Sequence, residues 1–330
     1  MIPTKATAIA NSNTALIKYW GKKNEEEIIP MNNSISITTD ALSTTTTVEF
    51  SDDFTRDEFK LNGKKQAGTP FTRVENHLTL LRKIVQVDSK AKVHSNNNFP
   101  TAAGLASSAS GFAALTYAAA NALGLDKDLK ELSMISRQGS GSSCRSFYGG
   151  YVEWIAKDEK GDSFAIQLAD ENWFDVRDIV VVLKSPERKL NTREAMKLSM
   201  KTSPFFSTRI ETIEENLSKI RKAIESKDFT LLGKIAEMDC LSMHSVAITS
   251  DPPLIFWTSE TVKVMHFVEA LRNEDLEAYY TIDTGANMHI LTKPKYEKEI
   301  IQRLEDSIKP ERIISSKSGK GVSVSSKHLF

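Results

Sequence analysis

The period of apolar and polar positions changes several times along the chain, and each change marks an element. Residues 6 to 19 alternate small and polar side chains with Ile9, Ala15, Leu16 and Ile17, the pattern of a strand and its continuation. Ser34 to Thr38 and Thr44 to Phe50 repeat it within a Ser/Thr/Ile-rich stretch, which predicts paired strands. Asp52 to Gly68 is charged and reads as a loop, with Asn62-Gly63 as a hairpin turn. From Phe71 to Val87 the period lengthens, and Val74, Leu78, Leu81 and Val85 share one helical face. Lys92 to Ser95 returns to a strand. The alanine-rich run Phe112 to Leu123 predicts a buried helix ended by Gly124. Asp126 to Gln138 is amphipathic, with Leu129, Leu132 and Ile135 inward, and Phe147 to Trp154 reads as a strand.

The second half is more helical. Ile179 to Leu183 is wholly apolar, as in a central strand, and Lys184 to Lys189 breaks it with proline and charge. This break places the domain boundary, with one domain over residues 1–185 and another over 186–330. Thr192 opens a helix, and long helical patterns follow at 207–225, 228–246 and 252–272. An apolar strand ends at Asp283, and a glycine turn at residues 315–321 precedes a closing strand.

Composition narrows the partners. A chain of 330 residues can hold two cores. Its 43 basic and 43 acidic residues balance, so there is no global field for nucleic acid or membrane, and an anionic ligand needs a local basic cluster. No apolar run has the length of a transmembrane helix, and the first residues lack the h-region of a signal peptide. The expected setting is cytoplasmic, and the expected assembly a homodimer. Cys144 and Cys240 form neither a disulfide framework nor a zinc spacing. In an intracellular protein of thermophile-like composition, a disulfide between them stays open. The six histidines show no metal-ligand spacing.

Four stretches carry candidate chemistry. The first is Asn97 to Gly111, where a strand, a small-residue loop and a helix N-terminus form an anion site, because free N–H groups and the helix dipole face outward. Ser107 and Ser108 offer hydroxyls to phosphate or Mg²⁺; a tight turn capped by serine is the plainer reading. It is not a Walker loop, since Gly-Lys-Ser/Thr is absent. The second is Ala15 to Lys23, where Lys18 sits between apolar residues and the pair Tyr19-Trp20; a buried lysine is rare unless paired, although one can snorkel past aromatics. The third is Gly139 to Ser146, where small residues ahead of Arg145 make an anion nest with a guanidinium fork. The fourth is Glu277 to Asn287, where Asp283 closes an apolar strand before Thr284-Gly285, as a turn or N-cap aspartate also does.

These stretches resemble, in order, the signatures of the diphosphomevalonate decarboxylases within the GHMP kinase superfamily. Pro100-Thr101-Ala102-Ala103-Gly104-Leu105-Ala106-Ser107-Ser108-Ala109 is similar to the superfamily's phosphate loop. Leu16-Ile17-Lys18-Tyr19-Trp20-Gly21-Lys22, Gly139-Ser140-Gly141-Ser142-Ser143-Cys144-Arg145-Ser146 and Ile282-Asp283-Thr284-Gly285-Ala286-Asn287 resemble the narrower family. Thr284 and Ala286 depart from its commoner Asp-Ala-Gly-Pro-Asn, leaving Asp283, Gly285 and Asn287 in place.

The resemblance implies a two-domain α/β (α+β) GHMP fold, with a ribosomal protein S5 domain 2-like half and a ferredoxin-like half. It implies ATP-dependent decarboxylation of mevalonate 5-diphosphate to isopentenyl diphosphate, ADP, phosphate and CO₂, with ATP and Mg²⁺. Asp283 and Lys18 take catalytic roles. Tyr19, Lys22, Arg73, Ser140, Ser142 and Arg145 take the substrate diphosphate. Pro100, Ala103, Gly104, Leu105, Ala106, Ser107, Ser108 and Thr192 take ATP, with the metal at Ser107 and Ser108. The rivals are a monophosphate decarboxylase, a mevalonate 3-kinase, a Ser-Ser-Lys amidase-type hydrolase and a non-catalytic GHMP binding protein. The retained Lys18 and Asp283 argue against the kinase. Arg73, read from the residues alone, is a surface helix side chain, and Cys144, with no histidine beside it in sequence, is a packing residue.

Overall fold

The computed structural model describes residues 4–99, 107–157, 160–184 and 190–330. The chain opens with β1 (Lys5–Ile17), the short strands β2 (Lys22–Asn24) and β3 (Ile29–Pro30), and the long β4 (Ser34–Ser51). β1 and β4 run antiparallel from Lys5↔Glu49 to Ile17↔Ile35, with irregularities at Asn11/Asn13 and Ala15/Ile17. The charged stretch expected to be a loop instead supplies β5 (Glu58–Leu61) and β6 (Lys64–Lys65). Asn62 and Gly63 both take positive φ between them, as a tight hairpin turn requires. Exposed lysines on β6 suit a sheet edge, where charge discourages pairing with another chain.

α1 (Gly68–Val85) buries Val74, Leu78 and Leu81, the face its period predicts. It is followed by β7 (Lys90–Asn97), α2 (Ser107–Ala122) and α3 (Leu129–Gly139). Asp128 and Glu131 form a capping box at the start of α3. Gly141–Phe147, expected as an open nest, is wound into a 3₁₀ helix. Strands β8 (Tyr151–Ile155) and β9 (Phe164–Ala169) complete the first half.

β10 (Arg177–Val182) lies ahead of the division expected at 185. It pairs with strands of the second half, so the second sheet begins before the Pro-containing break. Next come α4 (Thr192–Thr202), α5 (Phe206–Ser226), α6 (Phe229–Ile248) and α7 (Ser259–Asn273). The helix expected from 252 begins only at Ser259, because Pro252 and Pro253 cannot donate to a helical ladder and Thr258 supplies the N-cap. β11 (Ala278–Ile282), β12 (Met288–Thr292), α8 (Pro294–Ser307), β13 (Arg312–Lys317) and β14 (Ser323–Ser325) close the chain. Sequence reasoning did not anticipate α8.

The first sheet has the order β14-β1-β4-β7-β5-β6, with β8 on β4 and β9 on β8; the second is β11-β12-β10-β13. β14 returns to the first sheet beside β1, so the last strand ties the two halves. α1, α2 and α3 cover one apolar core built on Ala8, Val48 and Val93. Val264, Val268, Ile300 and Leu304 from α7 and α8 pack on the second sheet. Between them lies a third core, in which Leu217, Ile220 and Leu232 from α5 and α6 meet Leu16 and Ile17 of β1, and Tyr279 and Leu291 of the second sheet. This shared helical layer brings the end of β1 to the end of β11.

Candidate active site

Lys18 is the first residue beyond β1, and Asp283 the first beyond β11. Their side chains meet, Lys18 Nζ lying 2.6 Å from Asp283 Oδ1. Lys18 is 3% exposed and Asp283 is half-buried, so the pair forms at the floor of the junction between the halves. Burial works to raise the Asp283 carboxyl. The Lys18 ammonium, then His289 and Arg145, outweigh it and hold the carboxyl below its ordinary value, so Asp283 is ionised at neutral pH.

Arg145 projects from the 3₁₀ helix into a wholly polar and uncharged cage. Its Nε donates to Asn13 Oδ1 (3.3 Å) and Ser36 Oγ (3.1 Å), and its terminal nitrogens donate to Ser34 Oγ (2.5 Å) and Asn13 Oδ1 (3.2 Å). Asn13 is in turn fixed by donating to Ser146 Oγ at 2.8 Å. No carboxylate among the described residues pairs with Arg145, which is 3% exposed. A guanidinium carries five donors, so each terminal nitrogen keeps a second N–H for a ligand. A buried cation with only neutral partners suits an anionic ligand.

A second basic group gathers at the end of α3. Arg73 and Arg193 both donate to the carbonyl of Gly139, at 3.1 and 2.7 Å. Burial and the nearby Arg193 charge push Arg73 down to about 10. The adjacent Ser140 hydroxyl donates to Ser108 Oγ at 3.1 Å, which ties the start of α2 to the same place. The Tyr19 hydroxyl is buried with no hydrogen-bond partner among the described residues, and desolvation pushes its pKa up despite the neighbouring arginines. Its ring meets Trp154 edge-on at 4.7 Å. Gly141 permits that contact, since a Cβ there would lie 2.8 Å from Trp154 and 2.9 Å from Tyr19.

The other expected residues fall unevenly. Lys22 is buried, with its ammonium paired to Glu25 at 2.6 Å. Ser142 lies in the 3₁₀ helix beside Arg145, its carbonyl accepting from Asn13. Thr192 shares a hydrogen bond of 3.0 Å with Thr284, which sets the start of α4 against the loop that carries Asp283. Ser107 and Ser108 begin α2, whose N-terminus can hold an anion. Pro100, Ala103, Gly104, Leu105 and Ala106 lie outside the described residues. Cys144 and Cys240 are free, buried thiols, and burial pushes them up to about 12 and about 11, so neither is a nucleophile.

Sequence reasoning missed Asn13, Ser34, Ser36, Arg193 and the pair His289 and Asp178. Arg193 follows the named Thr192 directly, and an arginine in the first turn of a helix, where the dipole disfavours it, was the available signal. The others are ordinary strand residues by pattern.

The architecture of two α/β halves sharing a helical layer, with a Lys–Asp pair at their junction and, among the described residues, arginines lacking carboxylate partners beside it, defines a two-domain fold of the GHMP type. The chain belongs to the diphosphomevalonate decarboxylase family. Residues 10–165 match the family model described as the diphosphomevalonate decarboxylase-like N-terminal domain, and residues 178–328 the mevalonate 5-diphosphate decarboxylase C-terminal domain. The diphosphomevalonate decarboxylase of Candida albicans is 38% identical over 300 residues, covering 86% of this chain and 82% of that protein. Mevalonate diphosphate decarboxylase from Staphylococcus aureus superposes with a TM-score of 0.94 at 39% identity, over 98% of each chain. A structure described as MDDEF in complex with MVAPP, AMPPCP and magnesium gives 0.93 at 37% identity, over 98% of this chain and 99% of that one.

Proposed function

We propose that this protein catalyses the ATP-dependent decarboxylation of mevalonate 5-diphosphate to isopentenyl diphosphate, ADP, phosphate and CO₂. The ionised Asp283 held by Lys18 between the two halves carries the reading, and family membership supports it. The substrate's tertiary 3-hydroxyl is a poor leaving group. Asp283 accepts its proton, or orients it, as its oxygen attacks the γ-phosphorus of ATP and ADP leaves. The C3–O bond then breaks, phosphate departs with the electron pair, and positive character develops at C3. The bond to the carboxylate breaks next, its electrons form the double bond, and CO₂ is released. Lys18 offsets negative charge developing beside Asp283.

Arg145, Ser140, Ser142, Tyr19, Lys22 and Arg73 hold the diphosphate, and Arg193 belongs with them on its geometry. By the family resemblance, Pro100, Ala103, Gly104, Leu105, Ala106, Ser107, Ser108 and Thr192 bind ATP. Among the described residues no group of three or more His, Cys, Asp or Glu side chains could hold a metal. Mg²⁺ therefore fits as an ion carried mainly on nucleotide phosphates, with Ser107 or Ser108 as hydroxyl ligands. When bound it screens the charge of the transferring phosphoryl group. No described helix is long and apolar enough to cross a membrane, and a cytoplasmic homodimer remains our expectation for setting and assembly.

The test is an assay of ADP and CO₂ release with the mono- and diphosphates of mevalonate. Equimolar ADP and CO₂ from the diphosphate supports the proposal. ADP without CO₂ replaces it with the 3-kinase reading, and preference for the monophosphate replaces the substrate.

A further inference from the structure

Lys18 has an unusual backbone environment. The β1–β4 ladder ends at Ile17↔Ile35, so the peptide groups of Lys18 have no strand partner. They are nevertheless satisfied in the interior. Its N–H donates to Asp239 Oδ2 at 2.7 Å, and its carbonyl accepts from Arg209 at 3.2 Å and Asn32 at 3.1 Å. Arg209 on α5 and Asp239 on α6 form an ion pair of 3.0 Å, with side chains 2% and 0% exposed. A buried ion pair is a poor stabilising device, since apolar replacements of similar volume are often neutral or better. This one does what an apolar pair cannot. It presents an acceptor and a donor to the two sides of a single residue.

The same helix reaches the other member of the catalytic pair. One residue on from Asp239, Cys240 Sγ accepts from the Ile282 N–H at 3.1 Å. One turn further, His244 Nε2 lies 3.2 Å from the Ile282 carbonyl. Burial pushes His244 down to about 4, so the ring is neutral and its Nε2–H donates to that carbonyl. Ile282 immediately precedes Asp283. A single rigid element thus grips the backbone at Lys18 and beside Asp283 from behind the site.

We propose that α6, through the buried Arg209–Asp239 pair, is the positioning element that sets where the Lys18 amine meets Asp283. This rests on the reading of Lys18 and Asp283 as catalytic. Misplacing a reacting group by about 1 Å costs on the order of 10²-fold in rate, so a backbone clamp on Lys18 has leverage that its distance from substrate conceals.

The experiment compares two double variants. Arg209→Met with Asp239→Leu removes the whole clamp without leaving a lone buried charge. Arg209→Met with Asp239→Asn keeps an oxygen for the Lys18 N–H. Each is checked for folding by thermal melting. In the Leu variant kcat falls by about 10²-fold while KM for both substrates stays within about threefold. The Asn variant recovers most of that loss but stays at least about threefold below wild type. The second readout is the carboxyl titration of Asp283 followed by NMR in the ligand-free protein. Lys18, His289, Arg145, His244 and Cys240 all face this carboxyl electrostatically, and only the Lys18 contact is loosened, so its midpoint moves up in both variants.

A folded Leu variant with wild-type kcat and an unmoved Asp283 titration overturns the proposal. If that variant does not fold, the Asn variant decides it by the same two readouts. Turnover surviving in Lys18→Met and Asp283→Asn would defeat the catalytic reading instead, while the titration would still report whether the clamp positions Lys18.

Discussion

Arg73 and Arg193 donate to one oxygen, the carbonyl of Gly139, at 3.1 and 2.7 Å. Two like charges converge there with no carboxylate between them among the described residues. Arg193 also acts electrostatically on the Tyr19 hydroxyl, which is buried with no hydrogen-bond partner among the described residues. A doubly charged phosphate group relieves all of these at once, and charge-assisted bonds to it are worth about 1.5–3 kcal/mol each. Arg193→Gln therefore raises KM for the diphosphate by roughly 10- to 100-fold and spares the monophosphate, as steady-state kinetics with both will show. Its melting temperature changes little, because the lost bond to the Gly139 carbonyl is offset by relief of the Arg73–Arg193 repulsion. Equal losses for the two substrates would place Arg193 elsewhere.

Asp283→Asn keeps shape and loses the basic charge. Its kcat falls by at least about 10²-fold, with nucleotide affinity little changed. Because Lys18 and its neighbours depress the Asp283 carboxyl, wild-type kcat holds as pH falls through the ordinary carboxylate range and drops only below it. Lys18→Met leaves burial to dominate, so the acidic limb of the profile moves to higher pH and kcat falls as well. A limb that does not move in Lys18→Met separates the two residues.

His289 Nδ1 lies 3.0 Å from Asp178, which also accepts from Thr14 at 2.6 Å. Burial disfavours the imidazolium, yet the Asp178 carboxylate, its hydrogen bond and then Asp283 leave His289 above its ordinary value. A raised histidine contributes stability fully below its unfolded value near 6.5, and that contribution is lost as pH rises through the folded value. Thermal stability accordingly declines from pH 6.5 upward. His289→Gln is less stable at acidic pH and flattens the dependence, which melting curves across pH will test.

Gly141→Ala pushes a Cβ to within 2.8 Å of Trp154 and 2.9 Å of Tyr19. Overpacking of this kind costs about 1–3 kcal/mol. The expected result is a lower melting temperature and a raised KM for the diphosphate, since Tyr19 is displaced, with KM for ATP unchanged. Unchanged diphosphate KM in a destabilised variant would remove Tyr19 from the binding group.

What the sequence determined by itself is local. Period alone located β1, α1 and α3, because a strand or helix that buries one face must repeat its apolar residues at 2 or 3.6. Asn62-Gly63 announced its turn, since both residues tolerate the left-handed conformation it needs. The four motifs also picked out Lys18, Arg145 and Asp283 as unusual: a lysine among aromatics, an arginine behind a run of small residues, an aspartate closing an apolar strand. Partnership came only with the folded chain. Lys18 and Asp283 are 265 positions apart, and no local rule pairs them; they meet because α5 and α6 pack against both sheets at once. For the same reason β10 joined the second sheet across the break that marked a boundary, since hydrogen-bonding edges choose partners by geometry in space. Arg209, Asp239 and Asn13 were invisible for that reason too. A polar residue on an amphipathic helix or an alternating strand looks solvated until the fold buries it, and only then must its hydrogen bonds be accounted for.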